Sequence, residues 1–139
     1  MVATSEWRDA LAPDVATFEA IARHAWQRLP GSFRELCDDV VIRVQDFAED
    51  DVLDELGIES PFDLMGLYQG VAMTQKSVSD AEPRGPDLVV LYRRAILDEW
   101  GHGEDTLGEI IAHVLIHEIG HHFGFSDDDM ERIEASVNG

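Results

Sequence analysis

The chain has 139 residues, of which 45% are hydrophobic, and it carries a formal net charge of −19. This length and composition fit one domain with its own core, so we expect a single domain spanning residues 1–139. The acidity argues against partners that are polyanions, because nucleic acids and anionic membrane surfaces would repel the chain. A basic or extended peptide or protein substrate would be attracted, although acidity spread over solvated faces also serves solubility alone.

Cys37 is the single cysteine, so the chain cannot form an intramolecular disulfide. The first residues lack the basic start and apolar stretch of a signal peptide, and no window approaches the length of a membrane span. These features predict a cytoplasmic protein. We expect Cys37 to be a small core residue rather than a nucleophile, because no histidine lies near it in the sequence.

Apolar spacing predicts the elements of the first half of the chain. In order, they are a helix over Asp14–Leu29, a short helical piece over Phe33–Cys37, a strand over Val40–Phe47, a short helix over residues 49–57 that ends at Gly57, and a bent strand or hairpin arm over Leu64–Met73.

The second half is predicted to continue with an exposed loop and the clearest strand of the chain. The elements are the loop Ser77–Pro86, the strand Leu88–Tyr92, a short helix or turn over Arg94–Trp100, a loop over Gly101–Gly103, and a closing helix over Asp128–Val137. Between the last two lies a helix over Thr106–Phe123, whose apolar residues recur at spacings of three and four. Thr106 and Glu109 have the spacing of a capping box at its start.

The most informative segment of the chain is His-Glu-Ile-Gly-His-His-Phe-Gly-Phe-Ser-Asp at residues 117–127. It begins near the end of the predicted helix Thr106–Phe123 and continues beyond it. His117 and His121 are one helical turn apart, so both imidazoles can reach one ion, and Glu118 can lean over an open coordination position. Gly124 allows a left-handed turn that can bring a later side chain, Asp127, back to the metal. The pattern predicts a catalytic Zn²⁺ site.

Two more histidines lie in the same helix. The rise from His113 to His121 is about 12 Å, so the ladder His113, His117 and His121 cannot bind one ion as a unit. We expect His113 to pack beside the ligands or to support them. His122 lies off the ligand face and is expected to be exposed or to interact with the carboxyl end of the helix.

The segment resembles the extended zincin pattern His-Glu-x-x-His-x-x-Gly-x-x-(His or Asp). Together with Gly66–Gly70 and Leu91–Arg94, it makes residues 14 to 137 similar to the small bacterial zincin-like metallopeptidase family. The resemblance implies an α+β minimal zincin-like domain, in which a small mixed β-sheet is packed by an N-terminal helix, the motif-bearing helix and a C-terminal helix. It also implies a zinc peptidase with His117, His121 and Asp127 as ligands and Glu118 as general base.

For such a peptidase, an additional donor would help to stabilise the oxyanion, and Tyr68, Tyr92 and His102 are candidates by residue type alone. The resemblance also implies that an extended peptide adds to an exposed sheet edge, for which Leu88–Tyr92 is a candidate. The alternative is that Leu88–Tyr92 is an ordinary internal strand.

A second class of function stays open at this point. The chain is alternatively a non-catalytic zinc-binding interaction module with a structural or vestigial metal site. Structural zinc sites usually close all four positions with Cys and His, however, and the single Cys37 lies far from the motif in sequence.

Overall fold

The computed structural model describes residues 4–70 and 87–138. Within this part of the chain, seven α-helices and a three-stranded mixed sheet form an α+β fold, which confirms the predicted fold class. The elements are α1 Thr4–Arg8, α2 Val15–Gln27, α3 Gly31–Leu36, β1 Val41–Gln45, α4 Asp50–Leu56, a 3-10 turn Pro61–Asp63, β2 Gly66–Gln69, β3 Leu88–Tyr92, α5 Arg93–His102, α6 Leu107–His122 and α7 Asp127–Asn138.

The sheet has the order β1-β3-β2, with β3 in the centre. β1 pairs with it in parallel and β2 pairs with it antiparallel. The prediction that Leu88–Tyr92 is an exposed edge strand was therefore wrong, and the alternative prediction of an internal strand is confirmed. A continuous apolar run is typical of a strand that is covered on both faces, and four of the five residues of β3 are buried.

The two faces of β3 contribute to two hydrophobic clusters. Val89 and Leu91 lie in the main core with buried residues of α2, α6 and α7. Val90 and Tyr92 lie in a smaller cluster with residues that include Leu53 of α4. Because helix α6 packs against α2, α5, α7, β2 and β3, it is the central element of the domain. The side chains that it carries are consequently held in place from several directions.

Most predicted elements are found within one or two residues of their expected bounds. The prediction of a loop over Gly101–Gly103 was wrong, because α5 continues through His102. The last hydrogen bond of this helix runs from the Gly103 N–H to the Glu99 carbonyl. One exposed glycine costs a helix only about 1 kcal/mol, and the His102 ring bonds the Asp98 carbonyl at 2.7 Å. The predicted loop Ser77–Pro86 and the end of Leu64–Met73 lie outside the described residues.

The structure confirms that Cys37 belongs to the core. Its side chain is fully buried, and its thiol donates to the Phe33 carbonyl over 3.2 Å. Burial raises the pKa of the Cys37 thiol to about 11, so the reactive thiolate is disfavoured. Among the described residues, no helix has both the length and the apolar character needed to cross a membrane.

Candidate metal centre

Helix α6 begins with the predicted capping box. The Thr106 hydroxyl accepts the Glu109 backbone N–H at 3.1 Å, and the Glu109 carboxylate accepts the Thr106 N–H at 3.0 Å. These reciprocal bonds satisfy two backbone donors that a helix start otherwise leaves unpaired. The start of the helix is thereby fixed, and so is the rotation at which the later histidines emerge.

The carboxyl end of α6 is closed by Gly124, whose φ of 79° confirms the predicted left-handed turn. The N–H of Phe125 bonds the Gly120 carbonyl at 2.8 Å, and the N–H of Gly124 bonds the His121 carbonyl at 3.2 Å. This pair of bonds is the Schellman motif. Ser126 then caps α7 by accepting the Asp129 N–H at 3.1 Å. Asp127 is therefore the first residue of α7, directly after a tight connection from the motif helix.

Gly120, inside the motif, is where α7 approaches α6 most closely. A Cβ at this position would overlap the sulfur of Met130 and lie 2.9 Å from its Cγ, and Met130 is fully buried. We expect Gly120→Ala to destabilise the fold by about 1–3 kcal/mol through overpacking. Gly108→Ala is the matched control in the same helix, because it meets nothing within 4 Å. It should be neutral or stabilising by up to about 1 kcal/mol. Urea unfolding of both variants tests this, and equal effects would contradict it.

His117 has the most constrained imidazole of the motif. Its side chain is 22% exposed, and its Nε2 is buried with no hydrogen-bond partner among the described residues. Burial lowers the pKa of His117, which favours the neutral ring. A neutral imidazole with a free nitrogen is the form that binds a metal ion.

Glu118 points toward β2 rather than toward α7. Its carboxylate accepts a hydrogen bond from the backbone of Tyr68, and a Cβ at Gly66 would lie 3.4 Å from its Cγ. Burial raises the pKa of Glu118 above its ordinary value, while His121 and the Tyr68 hydrogen bond act in the opposite direction. A carboxylate whose pKa is raised by partial desolvation is a stronger base than a fully solvated one.

His121 and Asp127, the other two predicted ligands, are exposed. The ring of His121 is nearly perpendicular to that of His117, with 5.6 Å between the ring centroids. Asp127 is close enough to act electrostatically on His117. Within the described residues, the donor atoms of these three predicted ligands do not form a group close enough to hold a metal ion as the side chains stand.

The tightest group of potential ligands in the described part of the chain is His113, His117 and Glu134, whose donor atoms lie within 4.8 Å of one another. Nδ1 of His113 is 2.7 Å from one oxygen of Glu134, and Nε2 of His117 is 3.9 Å from the other. Sequence reasoning missed Glu134 of α7. The sequence does contain one signal for this group. His113 and His117 are four residues apart, as are His117 and His121, so either pair has the spacing of two metal ligands on one helix face.

His122 is exposed, as predicted, and its ring stacks on Tyr68 with 3.8 Å between the centroids. Tyr68 donates its hydroxyl to Asp87 at 2.7 Å, and burial raises the pKa of this tyrosine. Among the three candidate oxyanion donors, Tyr68 is the one whose backbone contacts Glu118. Tyr92 is fully buried in the smaller cluster, and His102 is exposed at the end of α5.

The residues present fit a zinc ion by their chemistry. Two imidazoles and one carboxylate are a donor set that zinc takes in hydrolases, with a further position left for water. The decisive structural observation is the buried Nε2 of His117, which has no hydrogen-bond partner among the described residues, because a buried polar atom without such a partner is unfavourable in a folded protein. A bound cation would satisfy this nitrogen.

An α+β domain that carries a His-Glu-x-x-His segment on a central helix, followed by a glycine turn and an aspartate, belongs to the class of zincins. The sequence model described as zincin-like metallopeptidase matches residues 37–137, so the chain belongs to this family. No curated protein matches the chain. Membership indicates a zinc-dependent, peptidase-like function and a metal cofactor.

Proposed function

We propose that the protein is a zinc-dependent metallopeptidase in which His117, His121 and Asp127 hold the ion and Glu118 is the general base. The observation that carries the proposal is the buried Nε2 of His117, unpaired among the described residues and next in sequence to a partly desolvated carboxylate. Zinc bound there would supply Lewis acidity, which lowers the pKa of a water molecule and polarises a scissile carbonyl.

Glu118 has the position of a base that takes one proton and returns it. The Tyr68 backbone hydrogen bond orients its carboxylate, and Gly66 of the same strand lies beside its side chain. The raised pKa brings this group closer to neutral pH, where one carboxylate oxygen both accepts a proton from water and passes it to a leaving amine. Strand β2 thus orients the Glu118 carboxylate, and burial makes this carboxylate more basic.

Among the described strands, β2 lies at an edge of the sheet, and we propose that a peptide substrate lies along it. The bond from the Tyr92 N–H to the Met65 carbonyl makes residues 65 and 92 a hydrogen-bonded pair of the antiparallel ladder. By alternation, the backbone groups of Gly66 and Tyr68 point away from β3, and the Tyr68 N–H on this side is bonded to Glu118. An extended peptide that adds to this side would pass close to Glu118.

The substrate that we propose is a basic or extended peptide, and neither nucleic acid nor membrane is part of the proposal. The net charge of −19 supports this choice, because it attracts cationic chains and repels polyanions. A cytoplasmic setting is part of the same proposal, supported by the single buried cysteine.

Metal analysis combined with unfolding tests the proposal most directly. We expect about one zinc ion per chain, and chelation should lower the melting temperature, because an ion bound only by the folded state stabilises that state. Zinc affinity should fall below about pH 6, since protonated imidazoles cannot bind the ion.

The cleavage assay is a peptide library incubated with the zinc-loaded and the chelated protein. Cleavage that requires zinc supports the peptidase. A metal-replenished protein without bound transition metal would refute the site. Zinc binding without cleavage of any peptide would favour the non-catalytic binding module instead.

A further inference from the structure

His117 is the middle one of three histidines that are spaced four residues apart along α6, so it has a histidine neighbour on either side. Toward the end of the helix, 5.6 Å separates its ring centroid from that of His121, and toward the start, 4.0 Å separates it from that of His113. Glu134 of α7 lies opposite this second pair, with one carboxylate oxygen toward each imidazole. The spacing that makes the zincin motif therefore occurs twice along one helix face.

We propose that His113, His117 and Glu134 form a second cation position, selective for zinc-like ions, that competes with the first position for His117. The proposal rests on the proposed function only in taking His117 as a ligand of the first position. Two imidazoles and a carboxylate are a zinc donor set, and their donor atoms already lie within 4.8 Å of one another.

The side chains need only a small adjustment to bind an ion. Tetrahedral bonds of about 2.0–2.2 Å place ligand atoms about 3.3–3.6 Å apart, so donors within 4.8 Å must shift by up to about 1.5 Å. The hydrogen bond between His113 and Glu134 opens in the process, and the ion replaces it. Nε2 of His117, which is buried and unpaired among the described residues, gains the partner that it lacks.

The surroundings of this position favour a cation as well. A cavity of about 210 Å³ borders it, and its lining includes His113, Glu134 and three further acidic residues, Glu99, Asp105 and Glu109. Grouped carboxylates at a concave surface raise the local concentration of cations. His113 is about half exposed, so an ion reaches it directly from this side.

The two positions exclude each other because Nε2 of His117 has one lone pair for a metal. The second position lies on the side of His117 that faces His113 and Glu134, whereas Glu118 contacts β2. A cation held by His113 and Glu134 therefore takes His117 away from the side of the helix where the base acts. This makes the second position a storage or inhibitory site rather than a catalytic one.

Zinc titration of metal-free protein in the His121→Ala background isolates the second position. We expect this variant to keep a weaker zinc site, and addition of Glu134→Gln should weaken it at least a further tenfold. Addition of Glu131→Gln, an exposed carboxylate of the same helix, is the matched control and should change nothing. His113→Ala should reproduce the effect of Glu134→Gln without altering α7, which guards against misfolding of one variant.

Histidine ring signals in NMR spectra give a second readout, because zinc added to His121→Ala should shift the signals of His113. The proposal is overturned if His121→Ala binds no zinc, or if its affinity is the same with and without Glu134. The proposed function fails in a different way, namely if His121→Ala binds zinc as tightly as the wild type.

Discussion

Glu118→Gln should lower peptide turnover by about a hundredfold or more while zinc content and fold stay unchanged. Glutamine has nearly the same shape, and its amide oxygen can still accept the Tyr68 N–H that orients Glu118. The variant lacks a proton acceptor, so the step that needs a base is the one that slows. Turnover of the best substrate from the peptide library, with zinc measured on the same sample, checks the result.

The control for this variant is Glu131→Gln, which removes the same charge from an exposed position of α7. Its turnover should match the wild type. If both variants lost activity equally, or if Glu118→Gln cleaved at the wild-type rate, Glu118 would not be the base. Unchanged zinc and partner binding by Glu118→Gln, together with a wild type that cleaves nothing, would instead support the binding module.

The same substitution has a stability signature. Burial raises the pKa of Glu118, which means that the native state binds this proton more tightly than the unfolded chain does. The ionised carboxylate therefore destabilises the native state at neutral pH, and the neutral amide of glutamine removes that penalty. We expect metal-free Glu118→Gln to be at least as stable as wild type at pH 7, with the advantage vanishing below the ordinary glutamate pKa of about 4.3.

Asp127→Ala should weaken zinc binding more than roughly 100-fold. Loss of a residue that only hydrogen-bonds a metal ligand typically weakens binding by about 10- to 100-fold, and loss of a ligand should exceed this. Asp127 is the first residue of α7, directly after the turn at Gly124, and it acts electrostatically on His117. Removing its carboxylate takes away both a proposed ligand and a negative charge that acts on His117. Competition with a chelator of known affinity measures the change.

Asp128 and Asp129 provide matched controls, because they are the next two residues of the same helix. Asp129 pairs with Arg132, and the Arg132 side-chain hydrogen bond lowers the pKa of Asp129. Alanine at either position should change zinc affinity little, since exposed acidic residues near a helix start contribute only about 0.3–1 kcal/mol to the helix. Release of zinc by Asp128→Ala would mean that the motif is displaced by one residue.

Local sequence rules predicted the elements well where the signal is short-range. The capping box of Thr106 and Glu109, the left-handed Gly124 and the buried strand Leu88–Tyr92 all follow from neighbouring residues. The short helix α1 was missed, since five residues carry too little periodicity. The central place of β3 also escaped, because strand order depends on contacts distant in sequence.

In the candidate site, too, the features encoded within one helix could be predicted, whereas those that depend on contacts distant in sequence could not. His117, Glu118 and His121 stand out because their chemistry is encoded by the spacing within one helix. Glu134 did not, because its approach to His113 depends on the angle at which α7 returns along α6. The close contact between Gly120 and Met130 is part of this packing, and no single stretch of sequence displays it. The roles of the ligands remain predictions that the experiments above decide.

Helix α7 carries the carboxylates of both Asp127 and Glu134, yet only Met130 and Val137 of this helix are fully placed in the core. Its far end is tied by the Arg28 side chain, which donates to the Val137 carbonyl over 2.7 Å. If zinc binds to a carboxylate of α7, as proposed above, the ion adds a further anchor to this helix. Hydrogen exchange of the α7 amides should then slow on zinc loading.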